Sequence, residues 1–199
     1  MINTIIFDIG DVLMNFDNIA YIHRMFQNDE TERHVQDAIW GSGYWDEMDR
    51  GLEAQEALRR MVAADPDYEK EISSAFYHIE QCMGRKEYAI PWIQELKRRG
   101  YQVFYLSNYS TYVMKAKPEV LDFIPYMDGG VFSCEVRLIK PEPAIYRKLL
   151  DTYGLEPENC VFLDDRQPNL EPAAAMGIHT IRFESYPQAR EKLEQLLQG

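Results

Sequence analysis

Short apolar runs that lack polar alternation, each closed by turn residues, recur through this 199-residue chain and narrow the folds open to it. VFYLS (residues 103–107) and CVFLD (residues 160–164) stay apolar until their last position, as expected of strands covered by helices on both faces. Five such runs predict strands: Asn3 to Asp8, Tyr101 to Ser107, Gly130 to Cys134, Cys160 to Asp164 and His179 to Phe183. From the second run onward they alternate with helical patterns: a segment after Thr111, Pro143 to Tyr153 with Gly154 as stop, Asn169 to Met176 with Gly177 as stop, and Gln188 to Leu197. Such alternation predicts an α/β chain with a Rossmann-like, doubly wound parallel sheet.

One interval breaks the rhythm. More than ninety residues separate Asp8 from Tyr101, whereas a crossover needs only a few tens. Residues 17–88 carry apolar positions at three and four spacing, in Asn18 to Phe26, Glu32 to Trp40, Glu53 to Ala63 and Tyr68 to Met83. This predicts an inserted α-helical cap subdomain over residues 17–88, on a core made of 1–16 and 89–199. The insertion leaves the sheet just after Asp8, at the carboxyl end of a strand, where open α/β sheets bind ligands.

The net charge is −12, spread along the chain, which argues against nucleic acid and anionic membranes as partners. The N-terminal MINTIIFDIGDV has neither the basic region nor the apolar length of a signal peptide, and no stretch is long enough to span a bilayer, so a cytoplasmic protein is expected. Cys82, Cys134 and Cys160 are odd in number and far apart, which fits reduced core thiols and not a disulfide or zinc framework; Cys134 and Cys160 fall in strand-like runs. His23, His34, His78 and His179 have no metal-ligand spacing.

Three predicted strands end in polar clusters: FD (Phe7, Asp8), LSN (Leu106, Ser107, Asn108) and LDD (Leu163, Asp164, Asp165). In a parallel sheet these ends share one edge. Asp8, Asp164 and Asp165 would then crowd three carboxylates together, at a cost that a cation removes. Magnesium suits hard oxygen ligands and leaves room for a substrate phosphate. Ser107 and Asn108 can donate hydrogen bonds to phosphoryl oxygens, and Lys140, in LIKPEP, can supply positive charge.

The stretches FDIGDVL, YLSN, KPEPAIY and FLDD occur in the order of the four motifs of the haloacid dehalogenase superfamily, which the chain resembles over nearly its whole length. Together with the insert stretch GYWDEMDRGLEAQEAL, they resemble its helical-cap phosphatase branch, which includes the phosphatase domain of soluble epoxide hydrolases and bacterial sugar-phosphate phosphatases such as those acting on α-glucose 1-phosphate. The resemblance implies a magnesium-dependent phosphatase of a small phosphorylated metabolite, with Asp8 as the nucleophile that becomes an aspartyl phosphate. It implies that Ser107 and Lys140 stabilise the transferring oxygens and that Asn108 holds the phosphate. Asp8, Asp165, the Gly10 carbonyl and Asp164 would serve the metal, and Asn169 would orient the last loop.

One departure matters. Most phosphatases of this superfamily carry a second Asp two residues after the nucleophile as proton donor and acceptor; here that position is Gly10, and Asp11 comes one residue late. The loss costs on the order of 10² to 10⁴ in rate for a poor leaving group and less for an activated one. Asp46, Glu47 and Asp49 of YWDEMD are candidate replacements, although acids at such spacing ordinarily form a solvated helix face. Among the aromatic residues Phe16, Trp40, Tyr44 and Trp45, which by type belong to the core of a helical insert, Tyr44 and Trp45 are assigned to the substrate pocket. Rival readings are a 2-haloacid dehalogenase, which shares the aspartate nucleophile without needing metal, a regulatory protein that binds a phosphate ligand without turnover, and a sugar phosphomutase.

Overall fold

The computed structural model describes residues 1–198. Five parallel strands form the central sheet: β1 (Thr4–Phe7), β4 (Gln102–Ser107), β5 (Gly129–Phe132), β6 (Cys160–Asp164) and β7 (His179–Arg182), in the order β5-β4-β1-β6-β7. Two three-residue strands, β2 (Met14–Phe16) and β3 (Met83–Arg85), pair antiparallel. The first strand is central, and its neighbours are β4 and β6, the two other strands that end in polar clusters.

Alternation along the strands explains the unbroken apolar runs. Ile5 and Phe7 of β1, Val103 of β4 and Val161 and Leu163 of β6 join one core cluster with Trp92 and Leu193, from helices Ala89–Arg98 and Tyr186–Gln198. Ile6, Phe104, Leu106 and Phe162 point the other way, into a second cluster with Ile145, Leu149 and Leu170 of helices Pro143–Tyr153 and Gln167–Ala175. Every position therefore has a helix to pack on, and the sheet is wound on both faces.

Between β2 and β3 the chain is helical: Asn18–Phe26, Asp29–Gln36, a π-helical turn Asp37–Gly41, Tyr44–Asp49, Ala54–Ala64 and Glu69–Tyr77. The Asp17 and Asn28 side chains cap the first two, accepting from Ala20 N at 2.9 Å and Thr31 N at 3.0 Å. No helix among the described residues is long and apolar enough to cross a membrane.

Two expectations need correction, and one helix has no counterpart among them. The 17–88 stretch is not helical throughout, because Met83–Arg85 is strand and closes the insert by pairing with Met14–Phe16. Cys134 does not lie in a strand: β5 ends at Phe132, and Ser133–Val136 turns into a short helix in which Cys134 is half-buried. Helix Ala89–Arg98 is the element without a sequence counterpart, and it carries Pro91 in its first turn, where proline is tolerated.

Close backbone approach makes Gly130 a test of this packing. It lies opposite Tyr105 in the ladder, a Cβ there would sit 2.4 Å from the Tyr105 ring, and the Tyr153 hydroxyl accepts from Gly130 N at 2.9 Å and donates to its carbonyl at 3.0 Å. Gly130→Ala should destabilise by about 1–3 kcal/mol, a Tm loss of roughly 2–10 °C for a chain of this size, measurable by thermal denaturation followed by circular dichroism.

Candidate active site

Register brings the polar strand ends together. Phe7 pairs with Leu163 on one side and Tyr105 on the other, so Asp8 emerges beside Asp164, and the Asp8 N–H donates to the Leu163 carbonyl at 2.8 Å. Beyond the sheet edge lies a cavity of about 390 Å³. Its floor includes Asp8, Gly10, Ser107, Asn108, Lys140 and Asp165, and its walls include Phe16, Trp40, Trp45 and Asp49.

Lys140 sits at the centre of the floor. It arrives on the loop before helix Pro143–Tyr153 and is 3 % exposed. Its ammonium Nζ lies 2.8 Å from Asp8 Oδ1 and 2.7 Å from Asp164 Oδ2. Asn108 clamps its backbone, donating from Nδ2 to the Lys140 carbonyl at 3.0 Å and accepting the Lys140 N–H on Oδ1 at 2.8 Å. Asn108 thus faces the cavity, but half of its amide chemistry is spent on Lys140. Asp164 is fully buried beneath the floor, where Asn169 Nδ2 donates to both of its oxygens at 3.0 Å and Arg166 N donates to Oδ1 at 2.8 Å. Tyr146 fixes Asn169 in turn by donating its hydroxyl to the Asn169 carbonyl at 2.7 Å.

One ammonium faces three carboxylates, and the electrostatics show the imbalance. Burial pushes the Asp8 carboxyl up to about 7, opposed by Lys140 and reinforced by Asp164 and Asp165. Burial, with Asp164 and Asp11 nearby, pushes Asp165 up to about 6. Burial alone would lower the Lys140 ammonium, but Asp164 and Asp8 outweigh it and hold it above its ordinary value. One carboxylate oxygen from each of Asp8, Asp164 and Asp165 lies within 4.8 Å of the other two. Opposite corners of an octahedron with magnesium-like bonds are about 4.2 Å apart, so these hard donors would need to draw only slightly closer to hold a small divalent cation, which would offset the excess charge.

Of the residues singled out in the sequence, Asp8, Gly10, Trp45, Ser107, Asn108, Lys140, Asp165 and Asn169 line the cavity, whereas Asp164 supports it from below and Tyr44 is not in its lining. Phe16 and Trp40 flank Trp45 with ring centroids 5.7 and 5.6 Å away and form an aromatic wall. Of the three acids of YWDEMD, Glu47 is exposed and outside the lining, Asp46 is exposed at the rim, and Asp49 is 5 % exposed. Asn18, Tyr109, Ser110 and Arg166 also line the cavity and have no signature in the sequence, because only the tertiary arrangement brings them there.

Residues 2–177 match a family model described as haloacid dehalogenase-like hydrolase. The chain is 33% identical over 124 residues to the rat (Rattus norvegicus) bifunctional epoxide hydrolase 2, a match covering 58% of this chain and 22% of that protein. It is 26% identical over 157 residues to the chloroplastic flavin mononucleotide hydrolase 1 of Arabidopsis thaliana, covering 76% of this chain and 61% of that one. The chain thus spans about a fifth of the length of the epoxide hydrolase it matches. Among solved structures, a HAD family enzyme from Bacteroides thetaiotaomicron superposes with TM-score 0.71 at 24% identity, covering 98% of both chains, and a HAD-like hydrolase from Porphyromonas gingivalis with TM-score 0.75 at 21% identity, covering 100% and 99%. At these identities the superpositions establish the shared fold.

Two predictions follow from the charge imbalance. Lys140→Met strands Asp8 and Asp164 in a buried site and should cost about 3–5 kcal/mol in urea denaturation at pH 8. The loss should shrink at pH 5, where the stranded carboxyls take up protons. Because the folded-state pKa values of Asp8 and Asp165 are raised, each carboxyl must give up a proton to bind a cation as pH rises towards 7. Divalent-cation affinity should therefore climb between pH 5 and 7.5 with proton release, read by calorimetry in buffers of different ionisation enthalpy.

Proposed function

The chain belongs to the haloacid dehalogenase-like hydrolase family, and on that premise we propose that it is a magnesium-dependent phosphatase of a small phosphorylated metabolite, working through an aspartyl phosphate on Asp8. The observation that carries the reading is the buried lysine shared by Asp8 and Asp164 beneath a cavity whose floor also holds Asp165 and Ser107. A dehalogenase has no use for the crowded acids, whereas transfer of a dianionic phosphoryl group needs cationic charge around a carboxylate nucleophile.

In this reading Asp8 attacks phosphorus in line with the leaving oxygen. Its Oδ1 is held by Lys140 and by the Ile9 N–H at 2.7 Å, which orients the carboxylate with its second oxygen free. Lys140 and the Ser107 hydroxyl, 1 % exposed at the end of β4, neutralise and bind phosphoryl oxygens, and Asn108 keeps Lys140 in register. Asp8, Asp165 and the Gly10 carbonyl would hold magnesium with support from Asp164, and the ion would supply the positive charge that lets carboxylate and phosphate approach. The 17–88 insert acts as a cap whose Trp40 and Trp45, joined by Phe16 at the end of β2, form an aromatic wall that excludes water and contacts the organic part of the substrate. Two comparisons support the choice: one Bacteroides thetaiotaomicron structure is of a complex with magnesium and inorganic phosphate, and the Arabidopsis relative is named for hydrolysing flavin mononucleotide.

A screen of sugar, acyl, aryl and nucleoside phosphates should give phosphate release that needs magnesium, stops with EDTA and falls at least about 10³-fold in Asp8→Asn, since the nucleophile is lost. Metal-independent halide release from chloroacetate, with no phosphate release from any ester, would replace this reading with a dehalogenase.

A further inference from the structure

Gly10 leaves the proposed reaction without a proton donor beside the nucleophile, and the cavity holds a carboxyl that the mechanism has not used. We propose that Asp49, from the helical insert, is the catalytic acid and base: it protonates the leaving oxygen, then accepts a proton from the water that hydrolyses the aspartyl phosphate. The inference rests on the phosphatase reading and deepens it.

Three observations carry it. Asp49 ends helix Tyr44–Asp49, lines the same cavity as Asp8 and Lys140, and is 5 % exposed. Among the described residues its carboxyl takes no hydrogen bond or ion pair, and only burial and the charges of Asp46, Lys140 and Asp8 act on it. The chain around it is docked on the core: Arg50 Nη1 donates to Glu142 Oε2 at 3.1 Å, two residues beyond Lys140, and a Cβ on Gly51 would lie 3.4 Å from the Cys134 carbonyl. The Asp49 carboxyl is therefore held over the reaction floor by its neighbours and is free to exchange a proton.

The other acids nearby are less suited. Asp11 has a left-handed backbone (φ 54) and accepts the Phe16 N–H on Oδ1 at 3.0 Å, which commits it to bracing the turn. Asp46 is exposed at the rim. The titratable groups facing Asp49 are Asp46, Asp8 and Lys140, with Tyr109 and Cys134 from the core side. Burial, with Asp46 adding to it and Lys140 opposing, holds the Asp49 carboxyl well above the usual carboxylate range, which favours its protonated form.

The proton balance closes over one turnover. As the Asp8 carboxylate forms its bond to phosphorus, the phosphorus–oxygen bond to the leaving group breaks and that oxygen takes the Asp49 proton, releasing an alcohol. Water then attacks phosphorus, its proton passes to the Asp49 carboxylate, the bond to Asp8 breaks, and inorganic phosphate leaves with both carboxyls restored.

The test is leaving-group dependence in single-turnover kinetics. In Asp49→Asn, release of an alkyl or sugar alcohol should slow by about 10² to 10⁴-fold. Nitrophenol release from nitrophenyl phosphate should keep its single-turnover rate and, with substrate in excess, become a burst, because the aspartyl phosphate then waits for unassisted water. Position 10 has room for a carboxyl, since a Cβ there meets nothing within 4 Å and Gly10 is not among the residues with positive φ. Gly10→Asp should therefore restore alkyl ester turnover to Asp49→Asn. Wild-type kinetics need no variant: alkyl release should fall as pH rises and Asp49 loses its proton, while nitrophenol release should not. Equal losses on both leaving groups, no loss on either, coincident wild-type pH profiles, or a wild type that turns over no alkyl or sugar phosphate would each overturn the role of Asp49. If Asp8→Asn abolishes wild-type phosphate release, the phosphatase reading survives that result; wild-type failure on every phosphate ester overturns both.

Discussion

A single ammonium holds the floor of this molecule together. Lys140 is almost completely buried and ion-paired to two carboxylates from adjacent strands, one of them fully inaccessible to water. Taking such charges out of water is expensive, and the attraction between them compensates only where geometry and further hydrogen bonds are favourable. Here they are: Asn108 grips the Lys140 backbone at both its N–H and its carbonyl, and Asn169 and Arg166 N satisfy the remaining lone pairs of Asp164. A polar network of this kind in an apolar surrounding specifies one arrangement, since partial occupancy of its bonds costs more than complete satisfaction.

That network still carries more negative than positive charge, and the excess is the link from stability to function. The crowded carboxyls are costly to ionise without a cation, and in the proposed function they surround the lysine that receives a phosphoryl group. The arrangement gives up some apo-state stability for a floor that becomes electrically balanced when occupied. The helical insert completes the enclosure: its aromatic wall lowers the local dielectric, and its Arg50–Glu142 ion pair ties it to the loop that presents Lys140. The pair itself is half-exposed and contributes little energy, so its effect is to fix position.

Much of this was legible in the chain. Helix Pro143–Tyr153 has the boundaries its sequence announces, because proline suits a helix start and Gly154 adopts the left-handed conformation (φ 63) that ends one. β6 spans Cys160–Asp164 as expected, since a buried parallel strand needs an unbroken apolar run. The short pair β2 and β3 was not legible, because three residues are too few to show a period, and what defines each strand is a partner almost seventy residues away. Tyr44 and Trp45 show the same limit: neighbours in sequence, they point to different surroundings, and only Trp45 reaches the cavity.

The sequence by itself determined the α/β class, the family, and the set of polar residues that close the strands, because these depend on local periodicity and on residue types at strand ends. The tertiary structure decided that Lys140 sits between Asp8 and Asp164, that Asn108 serves the lysine's backbone, and that Asp49 alone among the three acids of its helix is buried at the cavity. Those outcomes turn on the direction of each side chain and on contacts between segments far apart in the chain. Burial then changes the chemistry: carboxyls of one residue type become a lysine's ion-pair partner, an exposed surface group, or an acid held above the usual carboxylate range, according to the water and charge around them.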